Sequence, residues 1–340
     1  MSTSTSAHAA TTSSHIRMAD SLPPAEKLRS KIRIKNIVVR NALAEFVGTF
    51  LLVFIGIGAT MQNILSHGAV NAPVQVNIGW GFALAFSIYV TYHISDSNSK
   101  LTGIIHRIRD ICGGKLPKSG REEYDILCGQ LNPAVSLALA TLKKISFKEF
   151  VINSIAQVCG AFWGAVFAYW LYYNQFTKTV GPNRTILGDR KTAECFTSFP
   201  ALHVTRTTAF FDQLVGTGLL VFFIVAILDR RNRIPQAAHP LLIGFVVMMI
   251  GMSYGMNVGA PINPARDFGP RIVAAFIYGT GVWQYNNFYF WIPIVAPLVG
   301  AILATWLYQF TLGSHLPDLV VHEQVPVDES KQPLKNGDDV

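Results

Sequence analysis

Six stretches of the chain stay apolar long enough to approach a membrane span, at residues 42–60, 74–94, 150–172, 213–228, 241–256 and 290–310. Polar connections separate them. A helix that crosses a bilayer needs about 20 apolar residues. Two further apolar runs reach only about half that length, and both open on the same tripeptide, Asn132-Pro133-Ala134 and Asn263-Pro264-Ala265. Half-length apolar helices predict re-entrant segments that meet inside a membrane. Non-helical backbone is tolerated at that depth only where protein buries it or where it lines a water-filled cavity. The pattern predicts an all-α membrane protein with six transmembrane helices, two re-entrant half-helices and a pore between them.

Composition agrees with a bilayer as solvent. The 340 residues are 50% hydrophobic and 14% charged, and the mean hydropathy is +0.33; a soluble domain of this size carries more charge. The first apolar run begins too far in for a cleaved signal peptide, and its flank is long and basic. In a soluble protein the net charge of +8 would point to nucleic acid. Here it reflects loops on the inner side, and no nucleic-acid partner is expected. Lys27, Arg29, Lys31, Arg33, Lys35 and Arg40 precede the first span and place the N-terminus in the cytoplasm. Lys143, Lys144 and Lys148, then Arg230, Arg231 and Arg233, mark the next two inner loops. The long loop 173–210 falls outside despite its five basic residues, because long loops weigh little in this rule. It carries the glycosylation sequon Asn183-Arg184-Thr185. Cys112, Cys128, Cys159 and Cys195 show no metal spacing. No nucleophile–base pair stands among the spans, so neither an enzyme nor a cofactor is expected.

The chain repeats itself. Gly48-Thr49-Phe50-Leu51-Leu52-Val53-Phe54 in the first span matches Gly216-Thr217-Gly218-Leu219-Leu220-Val221-Phe222 in the fourth, at an offset of 168 residues. Each half then carries one Asn-Pro-Ala. Three spans per half is an odd number, so the halves are inverted, an arrangement that places functional sites at the midplane on broken helices. The interval from Gly48 to Asn132 is 37 residues longer than that from Gly216 to Asn263. The excess falls in the polar segment 96–128, read as an insertion in a cytoplasmic loop. Three readings of it stay open: a tolerated surface loop, a gene-model or splice artefact, and a gating or partner-binding loop. The organisation expected is a disordered basic segment (1–40), a channel domain (41–311) and a cytoplasmic tail (312–340).

With two Asn-Pro-Ala motifs in an inverted three-plus-three frame, the chain resembles the aquaporin, or major intrinsic protein, family. The resemblance implies six tilted helices around one pore per subunit, and a homotetramer. Asp267, directly after Arg266 in the second motif, resembles the glycerol-conducting branch. By that resemblance the narrowest ring falls on Trp80, Gly251, Ala260 and Arg266. Gly251 stands where water-specific members carry His and leaves width for a carbon backbone. Trp80 offers an apolar wall, and Ala260 replaces an aromatic of bacterial glycerol channels. Glu45 is expected to brace the first re-entrant loop, with Gln213 its counterpart at the repeat offset. Gln130 stands where the family has His.

Physical reasoning runs beside the resemblance. A helix N-terminus carries about half a positive charge and unpaired N–H groups. Two of them facing each other repel cations, hydronium included. Pro133 and Pro264 suit the first helical position, where no donor is lost. The amides of Asn132 and Asn263 can donate to a passing oxygen. An intramembrane Arg266 marks a site by default. His93 is read as a packed or vestibule residue, Trp163, Trp170, Trp291 and Trp306 as interfacial or packing residues, and Gly160 and Gly164 as points of close helix contact. The expected function is a passive plasma-membrane channel for glycerol, water and other small neutral solutes. The alternatives are a water-selective or non-conducting structural member, and an ion-coupled secondary transporter.

Overall fold

A computed structural model of the protein describes residues 23–92, 94, 129–182, 184–188 and 191–317. The segment 96–128 that is read as an insertion, His93, Cys112, Cys128, Asn183 and most of the tail, from 318 on, lie outside the described residues. Ten α-helices follow in order among those that are described. These are α1 (Pro24–Ile32), α2 (Ile37–Leu65), α3 (Pro73–Thr91), α4 (Pro133–Thr141), α5 (Phe147–Val180), α6 (Arg206–Leu228), α7 (His239–Val258), α8 (Pro264–Tyr278), α9 (Gly281–Phe288) and α10 (Ile292–Thr311). Six helical stretches are long and apolar enough to cross a membrane; the sixth runs from α9 through a kink at Tyr285–Phe288 into α10. The chain is therefore a multi-pass membrane protein. Helices α4 and α8 are the two half-helices, of 9 and 15 residues.

Helices α2, α5 and α6 outrun the apolar stretches that announced them. α2 begins at Ile37 because the Asn36 side chain accepts from Val38 N–H (2.9 Å) and Val39 N–H (3.3 Å). α5 begins at Phe147 behind a capping box in which Ser146 and Glu149 exchange bonds. α6 begins at Arg206 behind Thr205, whose hydroxyl accepts from Thr208 N–H at 3.1 Å. Capping residues, not the edge of the apolar run, set these ends. One expectation changes, and one acid joins a span. Part of the segment 1–40 read as disordered is helical: it contains α1 and the first turn of α2. Asp212, the residue before the fourth apolar stretch, lies within α6, where it accepts from Asn257 and Gln213, both at 2.9 Å.

The two halves pack by the same device. A methyl carbon at Gly160 on α5 would lie 2.3 Å from the Phe46 carbonyl oxygen on α2, and one at Gly164 2.6 Å from that of Phe50. In the second half, a methyl at Gly300 on α10 would lie 2.2 Å from the Leu214 carbonyl oxygen on α6. Leu214 stands at the repeat offset from Phe46. Between the halves, a methyl carbon at either Gly81 on α3 or Gly244 on α7 would lie 2.6 Å from the other's carbonyl oxygen. Small residues let backbones approach where the lipid supplies no hydrophobic drive for association.

Candidate functional site

The chain enters each half-helix through a strained residue. Leu131 and Ile262, just before the two asparagines, have φ of 51° and 35°. This is an outlier for a bulky or β-branched side chain, costs about 1–3 kcal/mol, and persists only if its surroundings hold it. Glu45 on α2 holds the first. Its carboxylate accepts from the backbone N–H of Gly129 (3.0 Å), Gln130 (2.9 Å) and Leu131 (2.8 Å). Gln157 on α5 donates to the same carboxylate at 2.8 Å. Gln213 on α6 holds the second with a single bond, accepting from Ile262 N–H at 3.0 Å. The counterpart brace is thus present but thinner by two backbone bonds.

The strained turns put the preceding carbonyls to use. Asn263 Nδ2 donates to the Leu131 carbonyl at 2.7 Å, and Asn132 Nδ2 donates to the Ile262 carbonyl at 3.0 Å. The oxygen of each amide caps its own half-helix, accepting from Ala134 N–H at 2.9 Å on one side and from Ala265 and Arg266 N–H at 3.0 and 3.2 Å on the other. A primary amide has two N–H donors. The cross-bond takes one and leaves one for a solute oxygen. Nothing in the residue pattern signals this crossed pair. Pro133 and Pro264 occupy the first turn of α4 and α8, and Ala134 and Ala265 are fully buried beneath them.

One cavity collects the predicted residues. Asn132, Asn263, Trp80, Gly251, Ala260 and Arg266 all line it. Leu52, Leu84, Val135, Leu220 and Ile224 supply an apolar wall. The Arg266 guanidinium lies 4.3 Å from the centre of the Trp80 ring, close enough for cation–π attraction. Trp80 is fixed in turn by donating to Thr60 Oγ1 at 3.0 Å. Arg266 NH1 is buried and has no hydrogen-bond partner among the described residues. Gln130 also lines the cavity, and its side-chain oxygen accepts from Asn153 at 3.4 Å.

Two residues escaped the sequence reading. Asn77 lines the cavity one turn before Trp80; a methyl carbon at Gly251 would fall 2.6 Å from its side-chain oxygen. Arg271 is fully buried and pairs with Asp267 through Nε (3.0 Å) and NH2 (2.8 Å). It also donates to the carbonyls of Ser198 (2.8 Å) and Val282 (3.2 Å). Ser198 closes the network, donating its backbone N–H (3.0 Å) and its hydroxyl to Asp267. Asp267 thus fastens the loop before α6 against α8, next to Arg266. The i, i+4 spacing of Asp267 and Arg271 was the available signal.

A family model described as Major intrinsic protein matches residues 32–98 and 122–308. The chain belongs to the major intrinsic protein family. The stretch between the two matched blocks falls inside the segment 96–128 that the repeat arithmetic singled out. Aquaporin-9 of Homo sapiens is 31% identical over 295 residues, covering 86% of this chain and 89% of the relative. Aquaglyceroporin-2 of Rhizophagus irregularis is 35% identical over 276 residues, covering 80% and 77%. Among solved structures, the aquaglyceroporin from Plasmodium falciparum superposes with a TM-score of 0.64 at 28% identity, covering 81% of this chain and 96% of that one.

Proposed function

We propose that this family member is a passive channel for glycerol, water and other small neutral solutes. The observation that carries the reading is the single cavity lined by both motif asparagines and by Trp80, Gly251, Ala260 and Arg266. The ring presents a flat apolar face and a cation, and two of its four members carry no bulk. A polyol has the matching form, a carbon chain with hydroxyls along one edge. Relatives named as aquaglyceroporins agree with it. Arg266 and the two half-helix N-termini oppose the passage of cations and protons. Nothing in this scheme breaks or forms a covalent bond, so the protein is read as a transporter of matter and not as an enzyme.

An ion-coupled transporter needs a carboxylate free to bind its coupling ion. Glu45 is fully buried and engaged by four donors. Asp212 is held by two amides. Neither is disposed to that role. The distribution of Lys and Arg supports cytoplasmic termini, and family membership supports a homotetramer. The plasma membrane is the location proposed. Stopped-flow light scattering on proteoliposomes tests the function: shrinkage and reswelling in a glycerol gradient should both exceed the rates of empty vesicles. Water flux without glycerol flux would leave the water-selective alternative, and neither flux the structural one.

A further inference from the structure

We infer that Asn77 is a specificity-determining residue of the constriction, and that its acceptor favours polyols and urea-like amides, which leave their water partners behind in the ring, over water. The inference rests on the ring assignment above. Three observations support it. Asn77 lines the same cavity as Trp80 and Arg266. The side-chain space that Gly251 leaves open is filled by the Asn77 amide, whose oxygen and Cγ stand 2.6 and 3.0 Å from where a Gly251 methyl carbon would be. That amide has no hydrogen-bond partner among the described residues, and neither has Arg266 NH1, while Trp80 is committed to Thr60.

The chemistry of the ring then has a gap that Asn77 fills. A hydroxyl passing the constriction must both accept and donate. Arg266 donates and cannot accept, and Trp80 donates only. Gly251 and Ala260 bring no polar side-chain atom. The Asn77 oxygen is the one side-chain acceptor in this group, and it sits three residues from Trp80 on the same helix face. A solute that lies with its carbons on Trp80 and one hydroxyl on Arg266 meets an acceptor for its remaining proton at Asn77. Water needs this less, because a water molecule keeps its neighbours in file as partners. Glycine at 251 therefore does more than widen the ring: it makes room for an amide.

Two substitutions test the inference in proteoliposomes, with fluxes of water, glycerol and urea normalised to assembled protein. Asn77→Leu keeps the approximate shape and removes the acceptor. It should lower glycerol and urea flux about fivefold, the factor expected from one lost hydrogen bond of ordinary strength, and leave water flux within about twofold. Asn77→Ser keeps an acceptor and should retain the wild-type ratio of glycerol to water. The inference is overturned if Asn77→Leu leaves that ratio unchanged, or if both variants lower it alike. Failure of the channel reading itself looks different: the wild-type protein would then pass no glycerol above empty vesicles.

Discussion

Arg266 sits where a buried cation is hardest to keep. Its guanidinium rests on the Trp80 ring and one of its terminal nitrogens has no hydrogen-bond partner among the described residues. A charge held in this way raises a barrier to other cations. Arg266→Val should therefore admit a larger cation or proton current in voltage clamp; an unchanged leak would assign the barrier to the half-helix dipoles alone. Gly251→His should cut glycerol flux by about tenfold or more and water flux far less. Because the space beside Gly251 belongs to Asn77, Gly251→Ala should push the amide aside and reproduce part of that loss without filling the ring. Equal loss of both solutes at normal expression would remove Gly251 from the constriction. The motif asparagines, Arg266 and Glu45 were legible because a polar residue in an apolar run demands a reason. Asn77 was not, since an asparagine near the end of an apolar run is read as a helix-end residue until Gly251 is placed against it. The crossed bonds of Asn132 and Asn263 were hidden too, because they depend on carbonyls turned by strained backbone.

The elements differ in how firmly they are held. Glu45→Leu would leave three buried N–H groups without a partner, at about 1–3 kcal/mol each, and the protein should fail to assemble. Gln213→Leu would strand the Ile262 N–H alone and should yield a folded protein with a lower melting temperature in detergent. Equal effects would contradict the asymmetry of the two braces. The connection between α6 and α7 is fastened by Asp229, which accepts from Arg231 at 2.7 and 2.9 Å and from Tyr308 at 3.0 Å. Burial pushes its pKa up, but the Arg231 bonds outweigh burial and hold it below the ordinary 3.8. A depressed acid contributes stability that is present above its unfolded value and lost as pH falls through the folded one. The stability gap between wild type and Asp229→Asn should stay flat from pH 5 to 8 and close only below about pH 4; a gap that varied between pH 5 and 8 would contradict this. Element existence was readable from hydropathy and repeat arithmetic. Element ends were not, because Asn36, Ser146 and Thr205 extend the helices past the apolar runs.

At the scale of the whole molecule, the inverted repeat explains both the fold and its one irregularity. Gly160 against Phe46 and Gly300 against Leu214 are one contact made twice, and the first half alone carries extra chain. Joining Ser95 directly to Cys128 should give a protein that reaches the membrane and conducts glycerol at least as well as the full chain. Greater flux would favour an occluding loop, equal flux a neutral one; failure to assemble would make the segment structural and contradict its reading as an insertion. The central claim is passive passage of glycerol through this pore. It is tested most directly by the initial rate of glycerol entry into proteoliposomes, measured across glycerol concentration with and without imposed sodium and proton gradients. The account predicts a rate that rises in proportion to the glycerol gradient, ignores both ion gradients and ends at equal concentrations inside and out. Accumulation above the external concentration, or entry that depends on an ion gradient, would contradict it.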